Sequence, residues 1–265
     1  MATSSGNLNG KVAIITGSSD GIGAAIALEF ARLGASVTLN GRQKTKLDSV
    51  SKVCEAASPK KEKPLIIIGD ICDKAVREKI IQDTVKHYGR LDILVNNAGS
   101  YDADTLSSDF ETSRLDNMLD IHTKAPFHLT KLAIPHLVKS KGNIINISSV
   151  ASLKVTLEST IEYSMAKAAM DHLTKFTAKE LGPKGVRANS INPGSIKTEI
   201  VAKGTAGKID PASLEKRREA LPNIHALRRT GNVEEIASVA GFLASDKASF
   251  ITGAIIPVDG GILVV

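Results

Sequence analysis

The sequence predicts an α/β protein: one parallel sheet with helices on both faces. Three observations predict it. Short β-branched apolar runs recur along the chain, longer stretches of helical period separate them, and turn residues gather just after the runs. Strands buried on both faces read as unbroken apolar runs. Their strict alternation with helices imposes right-handed crossovers and hence parallel pairing.

Taken in order, the strand candidates are KVAIIT (11–16), ASVTLN (35–40), PLIIIG (64–69), LDILVN (91–96), NIINIS (143–148), VRANSI (186–191) and AIIPV (254–258). IGAAIALEFARLG (22–34) follows the first run and DKAVREKIIQDTVKHYG (73–89) the third. Asp73 is placed to cap the second of these helices, and both end in glycine, a common helix stop. EYSMAKAAMDHLTKFTAKELG, from Glu162, reads as a further helix, and Pro126 sits inside another helical stretch where it is expected to kink it. No repeat, low-complexity tract or linker divides the chain, so 1–265 is expected to form one domain. The exception to tidy alternation is 194–231, rich in Gly, Pro and polar residues. A stretch of that length is expected to be a lid or binding loop.

The composition admits this fold and excludes others. The chain has 265 residues, 42% hydrophobic and 23% charged, which is ordinary for a globular protein and rules out global disorder. Cys54 and Cys72 are the only cysteines; they exclude a disulfide framework, fit a reducing compartment and lack a C-x-x-C context, so packing roles are expected. No run approaches the roughly 18 apolar residues of a membrane span. The opening MATSSGNLNGK has no apolar signal region and no arginines, so a cytoplasmic location is expected. The net charge of +6 invites a nucleic-acid reading. The basic residues are spread out, however, and the densest cluster, Lys60, Lys61 and Lys63, contains Glu62 and no stacking aromatic. A solvated loop is expected there, with neither nucleic acid nor membrane as partner. The basicity would instead help attract an anionic ligand. The six histidines form no ligand-spaced set, so no metal is expected.

Open sheets of this kind bind ligands at the carboxyl ends of their strands, and the unusual residues cluster there. Thr16-Gly17-Ser18-Ser19-Asp20-Gly21-Ile22-Gly23 joins the first strand to the first helix. Glycines let a backbone turn tightly and approach a pyrophosphate, to which a helix N-terminus offers N–H groups and positive potential. The spacing Gly-x-x-x-Gly-x-Gly departs from the usual dinucleotide fingerprint. The second strand ends Leu39-Asn40-Gly41-Arg42 with no carboxylate. An acid there would bind a ribose 2′-hydroxyl and an arginine would take a 2′-phosphate; alternatively, Arg42 merely begins a surface helix. Asp70 and Ile71, after the third strand, are candidates for the adenine. Asn97, Ala98 and Gly99, after the fourth, would let the backbone pass close to a cofactor.

Tyr163 and Lys167 are four apart on a helix and share a face. A phenol with a reference pKa near 10 acts as acid or base near neutrality only with a cation close by. Ser149, at the end of the fifth strand, is placed to bond a carbonyl oxygen facing that phenol. Its alternative is a satisfied strand-end hydroxyl.

As a set, TGSSDGIG, NNAG, the serine before YSMAK, Pro193-Gly194 followed by Thr198, and ITGAIIPVDGG resemble the short-chain dehydrogenase/reductase family over nearly the whole chain. The branch most similar in general look holds 3-oxoacyl-carrier-protein reductases and small-ketone reductases. The resemblance implies a doubly wound, Rossmann-type sheet of about seven parallel strands, a nicotinamide cofactor, a small carbonyl or alcohol substrate and a homotetramer. It implies Tyr163 as general acid/base, Lys167 as the residue that lowers its pKa and holds the nicotinamide ribose, and Ser149 on the substrate oxygen. Gly17, Ser19, Gly21, Ile22, Gly23, Pro193, Gly194, Ile196 and Thr198 would line the cofactor.

Two departures stand out. His122 occupies the position of the family's usual asparagine; it is expected neutral beside Lys167 and able to replace the amide in a water relay. Ser149 precedes Tyr163 by fourteen residues rather than about thirteen, so the segment between is expected to bulge. NADP is the expected cofactor, with NAD as the alternative. An arginine–phosphate contact is worth roughly 1.5–3 kcal/mol, and an Asp20 facing solvent costs less than about 1 kcal/mol. The apolar end GGILVV is expected at a subunit contact, unless it folds back on its own core. A catalytically silent NAD(P)-binding scaffold or sensor is the alternative reading.

Overall fold

The structure is a computed structural model and describes residues 7–102, 112–155, 160–200 and 211–265. All seven apolar runs form strands: β1 (Val12–Ile15), β2 (Ser36–Gly41), β3 (Leu65–Ile68), β4 (Ile93–Asn96), β5 (Asn143–Ile147), β6 (Arg187–Pro193) and β7 (Ile255–Val258). They pair in parallel in the order β3-β2-β1-β4-β5-β6-β7. The order reverses between β1 and β4, which places a ligand crevice at their carboxyl ends.

The helices are α1 (Gly21–Arg32), α2 (Lys44–Ala57), α3 (Lys74–Tyr88), α4 (Ser113–Leu119), α5 (Ala125–Ser140), α6 (Ile161–Leu181), α7 (Pro211–Ala220) and α8 (Val233–Ala244). Side chains alternate faces along a strand, so β1 feeds two cores. Ala13 and Ile15 pack with Phe30 of α1 and Leu243 of α8. Ile14 packs with Ile80 of α3 and Leu129 of α5 on the other face. Helix α3 has the ends its sequence announces: Asp73 accepts the Ala75 N–H at 2.8 Å, and Gly89 stops it in the left-handed region at φ 75°.

Three expectations need correction. Strands β3 and β7 are not buried on both faces; both are largely half-buried and Ile68 is exposed, because an edge strand lacks a neighbour on one side. Cys54 is buried, but Cys72 is exposed beside Asp70 and is no packing residue. Pro126 does lie inside a continuous helical stretch, 113–140. It sits in the first turn of α5, directly after a π-helical turn, Asp120–Lys124, that joins α4 to α5. Lacking an N–H, Pro126 cannot donate to the carbonyls of His122 or Ile121, and the wider turn absorbs the mismatch. Finally, 194–231 is not irregular throughout, since 211–220 form α7; 201–210 lie outside the described residues.

Candidate active site

The glycine-rich turn is shaped by what its glycines omit. Gly17 has φ 64°, and a Cβ on it would lie 2.6 Å from Ala98 Cα. A Cβ on Gly23 would fall 2.4 Å from both Asn97 Nδ2 and Gly17 O. Glycine is therefore what lets the turn after β1 touch the turn after β4. Hydrogen bonds lock the contact: Asn97 Nδ2 donates to the carbonyls of Thr16 and Gly17 at 2.9 and 3.1 Å, and Thr16 Oγ1 accepts the Asn97 and Ala98 N–H groups at 3.0 Å each. Thr198 comes beside the same turn, its methyl 3.4 Å from where a Gly21 Cβ would stand.

Helix α1 starts with no side-chain cap bond and no acid in its first turn, so its leading N–H groups are left for an anion. Asp20 keeps the solvent exposure expected of it and also pairs with Lys46 at 2.8 Å, so its charge is answered. Arg42 lies at the end of β2, exposed, 3.5 Å from Asp70. Ser19 packs over Gly41, its Cβ 3.1 Å from where a Gly41 Cβ would be. A cradle that Cβ atoms would fill, a bare helix N-terminus and an exposed arginine beside the second strand fit a phosphorylated dinucleotide. Gly194 lies against the Asp259 backbone and Ile196 bridges to Gly231, which secures the start of the segment after Pro193. Ile71 is the exception: its side chain is buried in the core under α3 rather than in the cleft, while its carbonyl accepts from Arg77 at 2.7 Å.

The second cluster gathers at the ends of β4 and β5. Lys167 is 3% exposed and its Nζ donates to the Ile147 carbonyl at 2.7 Å. The same ammonium lies 5.6 Å from the Tyr163 ring centroid. Burial lowers Lys167 to about 7, with Asp171 opposing the shift. Burial also pushes the Tyr163 phenol up to about 12, partly offset by a hydrogen bond with Ser149 and reinforced by Tyr101. Ser149 Oγ accepts the Ala151 N–H at 3.1 Å, and its hydroxyl is turned to the Tyr163 phenol. Neighbouring Ser148 turns the other way, donating to the Lys167 carbonyl at 3.2 Å. The segment between Ser149 and Tyr163, where a bulge was expected, opens with a 3₁₀ turn, Val150–Ser152; 156–159 lie outside the described residues.

His122, carried on the π turn, stacks edge-on to Tyr163 at 5.2 Å. It is fully buried, and burial and the Lys167 charge hold it well below the usual imidazole range. Its Nε2 stands 2.8 Å from the Ser100 carbonyl, which assigns the proton to Nε2. Nδ1 is then a bare acceptor, without a hydrogen-bond partner among the described residues. Gly99 makes room for this ring, since a Cβ there would lie 2.5 Å from His122 Cε1. The structure thus brings Ser149, Tyr163, Lys167 and His122 together. It adds two residues the sequence reading missed: Ser100, which orients His122, and Tyr101, whose ring meets Tyr163 edge-on at 5.6 Å. Their position directly after NNAG is the signal that points to them. Among the described residues, no group of His, Cys, Asp and Glu could hold a metal ion, and no helix is long and apolar enough to cross a membrane.

A family model described as enoyl-(acyl carrier protein) reductase matches residues 17–263. The 3-oxoacyl-[acyl-carrier-protein] reductase FabG of Thermotoga maritima is 36% identical over 258 residues, 97% of this chain and 99% of the relative. A short-chain dehydrogenase/reductase of unknown function from Caenorhabditis elegans, solved with cofactor, superposes with a TM-score of 0.89 at 32% identity over 97% of both chains. A blue fluorescent protein from a metagenomic library, solved with NADPH, gives 0.85 at 31% identity, covering 97% of this chain and 99% of its own.

Proposed function

The chain belongs to the short-chain dehydrogenase/reductase family of oxidoreductases, and on that footing we propose that it interconverts a carbonyl and a secondary alcohol with NADP(H). One observation carries the reading. Tyr163 stands between the buried Lys167 and the Ser149 hydroxyl, which shares a hydrogen bond with it.

In the direction of reduction, Ser149 donates a hydrogen bond to the substrate carbonyl oxygen and Tyr163 delivers the proton to that oxygen. Hydride transfer is the chemistry that a bound nicotinamide supplies. Tyr163, raised to about 12 by burial, holds its proton at neutral pH and so stands ready as the acid. The Lys167 charge favours the tyrosinate left behind. His122 holds no proton on Nδ1, which meets no donor among the described residues; that lone pair is placed to accept from a water at the same centre. Gly17, Gly21 and Gly23 take the pyrophosphate on the α1 N-terminus. Arg42 and Ser19 take a 2′-phosphate, with Asp20 neutralised by Lys46. A substrate-binding role for the segment 194–231 belongs to the same proposal.

Assembly as a homotetramer belongs to the same proposal. The end of the chain divides: Ile262 folds back into the core, while Val264, Val265 and Phe250 stay exposed, apolar surface that a second copy would cover. A monomer at micromolar concentration in sedimentation equilibrium contradicts that part. The activity is tested by following NADPH oxidation over a panel of ketones, aldehydes and 3-oxoacyl thioesters. Turnover of at least one class sustains the reading; NADPH binding with no turnover on any contradicts it.

A further inference from the structure

Behind the acid/base centre lies a buried carboxylate that none of the chemistry above uses. Asp171 is 5% exposed and follows Lys167 by one turn of α6. A carboxylate buried so deeply is costly unless donors converge on it, and three do. Asp171 Oδ2 accepts from Ser152 Oγ at 2.5 Å and from Asn192 Nδ2 at 2.8 Å, while Oδ1 accepts from Ser190 Oγ at 2.9 Å. The donors come from β6 and from the 3₁₀ turn after β5. Two of them also reach the backbone of Ser149: its carbonyl lies 2.7 Å from Ser152 Oγ and 3.0 Å from Asn192 Nδ2.

Ser152 has one hydroxyl hydrogen and two acceptors within reach, the carboxylate and the Ser149 carbonyl. The Asn192 amide, with two hydrogens, bridges the same pair. The carboxylate therefore sets which hydrogen bonds the Ser149 backbone receives, and charge-assisted bonds are about twice as strong as neutral ones. Asp171 also stands one helical turn from the Lys167 ammonium and favours its charged form.

We propose that Asp171 is a positioning residue for proton transfer: through Ser152 and Asn192 it fixes the turn that carries Ser149 and couples that turn to the helix carrying Tyr163 and Lys167. The consequence for turnover rests on the oxidoreductase reading above; the placement of Ser149 does not.

The test uses the full chain and two variants, Asp171→Asn, which keeps the shape and removes the charge, and Ser152→Ala. NADPH-binding sites are counted by fluorescence titration, and kcat is expressed per site, so that a loss of folded protein does not register. Asp171→Asn is expected to lower kcat per site by about 10- to 100-fold, at or below the bottom of the roughly 10²- to 10⁴-fold range for groups that move the proton themselves, with the NADPH Kd within about twofold. Ser152→Ala, which removes one neutral hydroxyl, is expected to cost about 2- to 10-fold. Hydrogen exchange of the peptide spanning 148–155 should quicken in both variants while 11–34 is unchanged. Wild-type kcat per site and unchanged exchange in both variants overturn the proposal. If wild type turns over no carbonyl, the oxidoreductase reading fails, and exchange alone decides: quickening sustains the role of Asp171 and its absence overturns it. If Asp171→Asn binds no NADPH, Ser152→Ala decides by the same readouts.

Discussion

The two halves of the sheet build their sites by opposite means. On the β1–β2–β3 side the cradle is made of backbone and of missing side chains: Gly17 and Gly23 let two turns touch, and α1 presents bare N–H groups. On the β4–β5–β6 side the site is made of side chains held by other buried side chains. Asn96 donates to Asn146 at 2.8 Å, Asn146 to Thr174 at 2.8 Å, Lys167 to the Ile147 carbonyl, and Asp171 gathers Ser152, Ser190 and Asn192. A backbone site tolerates few substitutions but depends on few partners. A side-chain site depends on a network, and a polar group left alone in it costs roughly 1–3 kcal/mol. The first half is suited to hold an anion, the second to tune protons.

The largest expected effect tests the second half. Lys167→Ala should lower kcat by roughly 10²- to 10⁴-fold and also weaken cofactor binding, since the same ammonium is assigned to the ribose. Its titration should also show in stability. Lys167 sits at about 7 in the folded protein and at 10.5 as a free side chain. Between those values the unfolded chain binds the extra proton, so stability of the cofactor-free protein rises with pH through that window. Lys167→Met should flatten that rise; an unchanged thermal-denaturation profile would show that Lys167 is not held near 7.

Gly23→Ala tests the first half. A methyl 2.4 Å from Asn97 Nδ2 and Gly17 O forces the two turns apart, and overpacking of this kind costs about 1–3 kcal/mol. The expected result is a cofactor Kd raised about 5- to 150-fold, with kcat at saturating cofactor near wild type. A fall in kcat at saturation, with Kd unchanged, would break the division between the halves.

Arg42→Ala should be smaller. The side chain is exposed and shares Asp70, so the lower end of the arginine–phosphate range applies, about tenfold. Compare kcat/KM for NADPH and NADH on one substrate: the ratio should fall in Arg42→Ala, and a wild type that prefers NADH sinks the NADP assignment. His122→Asn should be smallest, under about threefold, on the premise that an amide can accept a hydrogen bond as the imidazole does. Because burial already keeps His122 well below its ordinary range, the acid limb between pH 6 and 8 should be the same in both proteins. A limb that disappears with the imidazole would show His122 titrating in that window.

The same contrast explains what the sequence made legible. Glycines that need a left-handed φ or a close approach are visible as spacing, and Tyr163 and Lys167 are visible as an i, i+4 pair. The seven strands were legible because buried β-branched runs have few other fates. Asp171, Ser190 and Asn192 were not, since their meaning depends on β6, α6 and a 3₁₀ turn converging in space. The partner of Asp20 was hidden for the same reason, since Lys46 lies on the next helix. Ile71 reads as a strand-end residue like Asp70 beside it, yet its apolar side chain goes where burial is greatest.

On the proposed function, Tyr163 moves the proton while the glycine cradle holds the cofactor without it. The most direct measurement is kcat and NADPH Kd for wild type and Tyr163→Phe on the best substrate of the carbonyl panel. Loss of the hydroxyl alone is predicted to lower kcat roughly 10²- to 10⁴-fold with Kd within about twofold. Near-wild-type turnover by Tyr163→Phe would contradict the claim.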